Sequence, residues 1–294
     1  MIAVRLMAGL GNQMFQYATG LALAHKYNTK LMLDISSYKN MSKEDTPREY
    51  GLNIYPLRAG LASKKTMGQI VNAKENLSRL DSLKRLIGLY DSLVIMREKH
   101  PGFNEEIFNA GNNTYLIGWW QNEGYFSHIR DEILKSFTPK IEPNAKNLRY
   151  IKSIQSSNSI GIHVRRGDYV QNKHANKYHG LTGIEYYKKA ISKMSNIVDS
   201  PTFVVFSDDI DWCKRELPVG KNSIFVKGND RQPHEDIRLM SLCEHNIIAN
   251  SSFSWWGAWL NNNTSKTVIA PKMWVSDQRQ NAKIDIIPKN WIRL

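Results

Sequence analysis

A chain of 294 residues with 41% hydrophobic content has room for one large or two modest globular domains around a proper core. No window approaches the ~20 continuous apolar residues of a membrane span, and the N-terminus enters a strand-like run without the charged stretch and cleavage site of a leader, so a cytoplasmic protein is expected. Two cysteines, Cys213 and Cys243, allow neither a disulfide framework nor a zinc site and read as buried side chains, while a formal charge of +13 favours an anionic partner: nucleotide, nucleic acid or acidic membrane surface.

In chain order, Ile2 to Leu6 reads as a strand, Ala8 to Asn12 as a glycine turn, and Gln13 to Tyr27 as a helix packing through Phe15, Ala18, Leu21 and Ala22. Lys30 to Ile35 is a second strand. Gly9 and Gly11 let a ligand approach the backbone near the amides of a helix mouth. Met14 stands where a dinucleotide reader needs its third glycine, so NAD binding is not expected, although Asp34 imitates a ribose-binding acid. Two readings of this turn stay open: tight strand-to-helix packing, or polar substrate recognition through Asn12 and Gln13.

Much of the positive charge lies between Lys64 and Lys99, where Leu77, Leu80, Leu83, Ile87 and Tyr90 recur at helical spacing and Arg79, Lys84 and Arg85 occupy other faces. This predicts an amphipathic surface helix with a solvated face; the sharper alternative is peripheral association with an anionic membrane. Thr114 to Gly118, followed by Trp119 and Trp120, reads as a buried strand edge, and Thr138 to Pro143 as punctuation.

From Ser159 onward strands alternate with helices to Ala270, the pattern of parallel βαβ units. The expected fold is α/β, two Rossmann-like halves facing a cleft, with residues 1–150 and 151–294 as the domains.

The first strand of the second half ends in Gly161-Ile-His-Val-Arg-Arg-Gly-Asp168. Ile160, Ile162 and Val164 share one face, which leaves His163 on the other. Arg165 and Arg166 fall where such a strand opens onto the ligand-binding end of a sheet, and two planar cations there suit a diphosphate without a metal ion. A structural ion-pair cluster is the competing reading. Asp208 and Asp209 follow the strand Thr202 to Phe206; the pair could hold a divalent metal, but capping of the next helix by Asp209 outweighs that reading. Asp236, near a helix start, has the same ambiguity, and a carboxylate there can also accept paired donors from guanine. In Asn250-Ser-Ser-Phe-Ser-Trp-Trp-Gly-Ala-Trp259 the serines cap a helix or hold phosphate oxygens, and Trp255, Trp256 and Trp259 read as core anchors. His174, His179 and His234 are placed in loops with no metal spacing.

Together, Gly9-Leu-Gly-Asn-Gln-Met-Phe-Gln-Tyr17, Gly118-Trp-Trp-Gln121, His163-Val-Arg-Arg-Gly-Asp-Tyr169 and Asn250 to Trp259 resemble the bacterial α-1,2-fucosyltransferases of glycosyltransferase family 11, nearly end to end. The resemblance implies a GT-B-like fold with an N-terminal acceptor-side domain and a C-terminal GDP-fucose-binding domain. It implies a galactoside α-1,2-fucosyltransferase: inverting transfer of L-fucose from GDP-β-L-fucose to the 2-hydroxyl of a terminal galactoside in a cell-surface glycan precursor, with no cofactor and no obligatory metal. Carried over by position, Arg165 and Arg166 are catalytic, Arg165 binding the β-phosphate; Asp168 is the base or orients Arg165; His163 and Asp236 hold the nucleotide base. Ser251, Ser252 and Phe253 contact diphosphate or ribose, and Gly9, Gly11, Asn12 and Gln13 lie by fucose or acceptor. The rivals are a transferase of the same architecture using another sugar nucleotide, a non-catalytic sugar- or nucleotide-binding protein, and a nucleic-acid-binding module. The clustered arginines and the lack of any RNA or DNA motif argue against nucleic acid.

Overall fold

The computed structural model describes residues 1–39, 46–73, 75, 78–86, 92–167, 177–178 and 180–294. Two compact units divide at Thr138 and Pro139, a dozen residues before the expected boundary. The physical reason is the helix at Ala145–Gln155, whose Asn147 and Lys146 bond to Asn229 and so belong to the second unit.

The first unit runs β1 (Ile2–Arg5), α1 (Leu10–Lys26), β2 (Leu31–Asp34), β3 (Gly60–Leu61), α2 (Lys64–Val71), α3 (Arg79–Leu86), β4 (Val94–Arg97), β5 (Thr114–Ile117) and α4 (Arg130–Ser136). Its sheet is parallel in the order β3-β2-β1-β5-β4. Strand order reverses between β1 and β5, so the loops after these two strands meet at one sheet edge. Almost every residue of α1 from Leu10 to Ala24 is buried, with Asn12 half-buried. Gly20 permits its close approach to the sheet, because a Cβ there would sit 2.9 Å from Leu31 Cδ1. Of the expected amphipathic helix, the described residues include α3, where Leu80 and Leu83 are 61% and 56% exposed, so these two leucines form no packing face; Leu77, Ile87 and Tyr90 lie outside the described residues. Among the described residues no helix is long and apolar enough to cross a membrane.

The second unit runs α5 (Ala145–Gln155), β6 (Ser159–Val164), α6 (Ile184–Ser195), β7 (Thr202–Ser207), α7 (Ile210–Glu216), β8 (Ile224–Phe225), α8 (Pro233–Leu242), β9 (His245–Ile247), α9 (Ser252–Leu260), β10 (Val268–Ala270), α10 (Gln278–Asn281) and β11 (Ile292–Arg293). The parallel sheet is ordered β11-β10-β9-β6-β7-β8. Counted from β6 this is the doubly wound 3-2-1-4-5-6 order, and the reversal falls between β6 and β9. β6 is buried along its whole length, as a strand covered on both faces must be. Both halves are Rossmann-like α/β units, the GT-B-like class expected. Both cysteines are buried.

Candidate active site

The register of the second sheet assembles the site. Val164 pairs with Ser207, so just beyond the paired residues the arginines after β6 come level with the acids after β7. Arg165 Nη1 lies 2.9 Å from Asp208 Oδ2, and Arg166 Nε lies 3.2 Å from Asp209 Oδ2. The Arg166 backbone N–H donates to Asp208 Oδ1 at 2.8 Å, and its guanidinium stacks 4.2 Å from the Trp212 ring. Gly167 leaves room for this, since a Cβ would meet Asp208 Oδ2 at 2.8 Å. Asp209 also caps α7, accepting from Trp212 N at 3.1 Å. The capping reading of Asp209 therefore stands, and the acids that sequence offered as metal ligands are counter-ions to the arginines. Arg165 is aimed by the Asp208 carboxylate, whereas Arg166 is fixed by the Asp209 carboxylate, its own amide and an indole. Asp168, like His174 and His179, lies outside the described residues.

His163, on the opposite face to Ile162 and Val164, is 5% exposed, and its Nδ1 has no hydrogen-bond partner among the described residues. Burial lowers its pKa to about 4, so the ring is neutral at pH 7. A neutral imidazole with an unpaired nitrogen at a strand end is a ready partner for a polar ligand. Its ring lies 5.5 Å from Phe253 in the first turn of α9. Ser251 is the cap of α9, its Oγ accepting from Phe253 N at 3.3 Å, and Ser254 Oγ donates back to Ser251 O. Ser254 is wholly buried, whereas Ser251, Ser252 and Phe253 are half-buried at a helix N-terminus that favours anions. Asn250 is a latch: its side chain bonds to Thr182 and to the Trp274 carbonyl. The three indoles of α9 are core, as expected, at 0%, 0% and 3% exposure.

Asp236 sits in the first turn of α8 and accepts from Asn229 Nδ2 at 2.8 Å. His234, expected in a loop, is in that same turn beside Glu235. Burial raises the Asp236 pKa from 3.8 to about 6. The folded chain therefore binds this proton more tightly than the unfolded one, a contribution present in full below about 3.8 and lost as pH rises through about 6. Asp236→Asn keeps the acceptor for Asn229 and removes the buried charge. Its melting temperature should match the parent's at pH 4 and exceed it by a few degrees at pH 7, which thermal denaturation at the two pH values checks.

In the first unit, Gly9 precedes α1 and Gly11 is buried in its first turn. Asn12 accepts a 2.6 Å hydrogen bond from Gln121 Nε2, so two of the four family-like segments meet at the β1 and β5 edge. Gln13 does not reach this surface. It is 0% exposed; its amide donates to the Ala8 and Glu49 carbonyls and accepts from Gly51 N, so it braces a loop and is not open to substrate. Asp34 is likewise spent on Tyr115 and Ser36, which removes the ribose-like role. Sequence reasoning missed Asp208 as the partner of Arg165, although its place after the neighbouring strand was a usable signal. It also missed Glu98, which takes the backbone amides of Trp119 and Trp120; nothing in the local pattern marks it.

A doubly wound sheet whose switch point carries aimed guanidiniums and a capped helix N-terminus defines an α/β protein with a site chemically suited to an anion. Comparison with known proteins supplies the family. The model of Glycosyl transferase family 11 matches residues 96–294. An alpha-1,2-colitosyltransferase of Escherichia coli is 38% identical over 100% of this chain and 98% of its own length. The O-antigen biosynthesis glycosyltransferase WbnK of Escherichia coli is 33% identical over 98% of this chain and 99% of its own. A galactoside 2-alpha-L-fucosyltransferase, Sec1 of Mus musculus, is 26% identical over 88% of this chain and 64% of its own. The chain belongs to glycosyltransferase family 11 and is a glycosyltransferase.

Proposed function

We propose that the chain transfers L-fucose from GDP-β-L-fucose, with inversion, to the 2-hydroxyl of a terminal galactoside in a cell-surface glycan precursor. The observation that carries this reading is Arg165, held at 2.9 Å by Asp208 at the switch point of the second sheet. As the bond between fucose carbon 1 and the β-phosphate oxygen breaks, that oxygen gains charge, and a cation already oriented toward it lowers the barrier without reorganising. His163 and Asp236 hold the guanine, and Ser251, Ser252 and Phe253 the diphosphate and ribose, with the α9 N-terminus adding its positive end. Asp168 is the candidate base for the acceptor hydroxyl proton, or a second group orienting Arg165. In this mechanism arginines do the electrostatic work of a metal, and the enzyme needs no resident cofactor.

The colitosyltransferase relative favours one second reading, transfer of a different sugar from another sugar nucleotide. A donor screen with GDP-fucose, GDP-colitose, GDP-mannose and UDP-glucose against a galactoside array separates the two. GDP-fucose is expected to be consumed, with fucose on O2 of galactose by product NMR. Transfer from GDP-colitose alone would replace the donor assignment, and absence of GDP uptake in calorimetry would remove the function.

A further inference from the structure

β5 ends at Ile117, and the chain then runs through Gly118 to two consecutive tryptophans that part company. Trp120 adopts a left-handed φ of 55°, folds inward at 2% exposure and meets Tyr125 edge-on at 5.7 Å. Trp119 turns outward and is 46% exposed. Left-handed backbone at a non-glycine residue costs energy and persists only where its surroundings enforce it. Here three supports do so. Glu98, directly after β4, accepts from Trp119 N at 2.6 Å and Trp120 N at 3.1 Å. Gly118 admits that carboxylate, because a Cβ would lie 2.5 Å from Glu98 Cβ. From α1, Gln16 donates to the Gly118 carbonyl at 3.2 Å. Ala8, in the loop after β1, has the same left-handed backbone at φ 62°, so strain gathers at the edge where the strand order reverses.

We infer that Trp119 is a stacking platform for the pyranose ring of the acceptor, with Glu98 as the positioning residue that holds it out. It rests on the glycosyl-transfer reading above. A solvent-facing indole offers a flat apolar surface to the C–H face of a sugar, and the half-buried amides of Asn12 and Gln121, bonded to each other at 2.6 Å at the same edge, are of the kind that bind hydroxyls.

The experiment uses the full chain with GDP and methyl β-D-galactopyranoside. Saturation-transfer NMR of the galactoside should show one ring face saturated by the parent, lost in Trp119→Ala and largely kept in Trp119→Phe. In transfer assays the acceptor KM should rise about tenfold for Trp119→Ala and Glu98→Gln, with kcat and GDP affinity unchanged. Parent-like galactoside signals in a folded Trp119→Ala that still takes up GDP overturn the platform alone. So does a parent that takes up GDP but shows no saturation of the galactoside. A parent that takes up no GDP overturns the platform together with the functional reading beneath it.

Discussion

Arg165→Ala is expected to lower kcat for fucosyl transfer by about 10²- to 10³-fold, the usual loss when one preorganised electrostatic stabiliser is deleted. The fold should be retained. The Arg165 side chain is 24% exposed and that of Asp208 26%, so water partly replaces the lost partner, and Asp208 keeps its bond from Arg166 N. The stability cost should fall between that of an exposed ion pair and that of a fully buried one, about 1–3 kcal/mol. Arg166→Ala should divide its effect the other way, because Arg166 is tied to Asp209 and stacked on Trp212. Arg165→Lys keeps the charge but not the planar fork, and should recover only part of the rate. Steady-state kinetics with circular dichroism on all three variants makes the comparison, and near-normal transfer by a folded Arg165→Ala would remove the phosphate clamp.

Trp255→Ala should cost about 3–5 kcal/mol, the range for deleting a large buried aromatic side chain. Trp255 is 0% exposed, donates Nε1–H to the Ile286 carbonyl at 2.8 Å, and lies within 6.0 Å of Trp256, Trp259 and Trp291. Alanine leaves a cavity among three indoles and a buried carbonyl without its donor. α9 then loses its anchor, and with it the placement of Ser251 and Ser252. A urea midpoint lowered by the corresponding amount is expected, with a smaller drop for Trp255→Phe, which refills most of the space. An unchanged midpoint for Trp255→Ala would contradict the assignment of this cluster to the core.

The sequence alone determined the second half with little loss. Alternating apolar strands and helices mark βαβ units, and polar residues at a strand-to-helix junction must fall at the carboxyl edge of a parallel sheet, so His163, Arg165, Ser251 and Asp236 could be placed before any contact was known. It also determined the burial of the α9 tryptophans, since an indole run inside a helix has nowhere else to pack. Tertiary structure decided what each polar group does with its bonds. Gln13 and Asn12 are neighbours in one helical turn, yet Gln13 is closed off by Glu49 and Gly51 and Asn12 is met by Gln121. Trp119 and Trp120 carry the same side chain, and one left-handed backbone angle sends them opposite ways. Asp208 looked like half of a metal-holding pair until strand register brought it level with Arg165. Local pattern fixes which elements form and which end of a strand a residue occupies; pairing across the sheet, between residues distant along the chain, decides which charges are neutralised and which surfaces stay open.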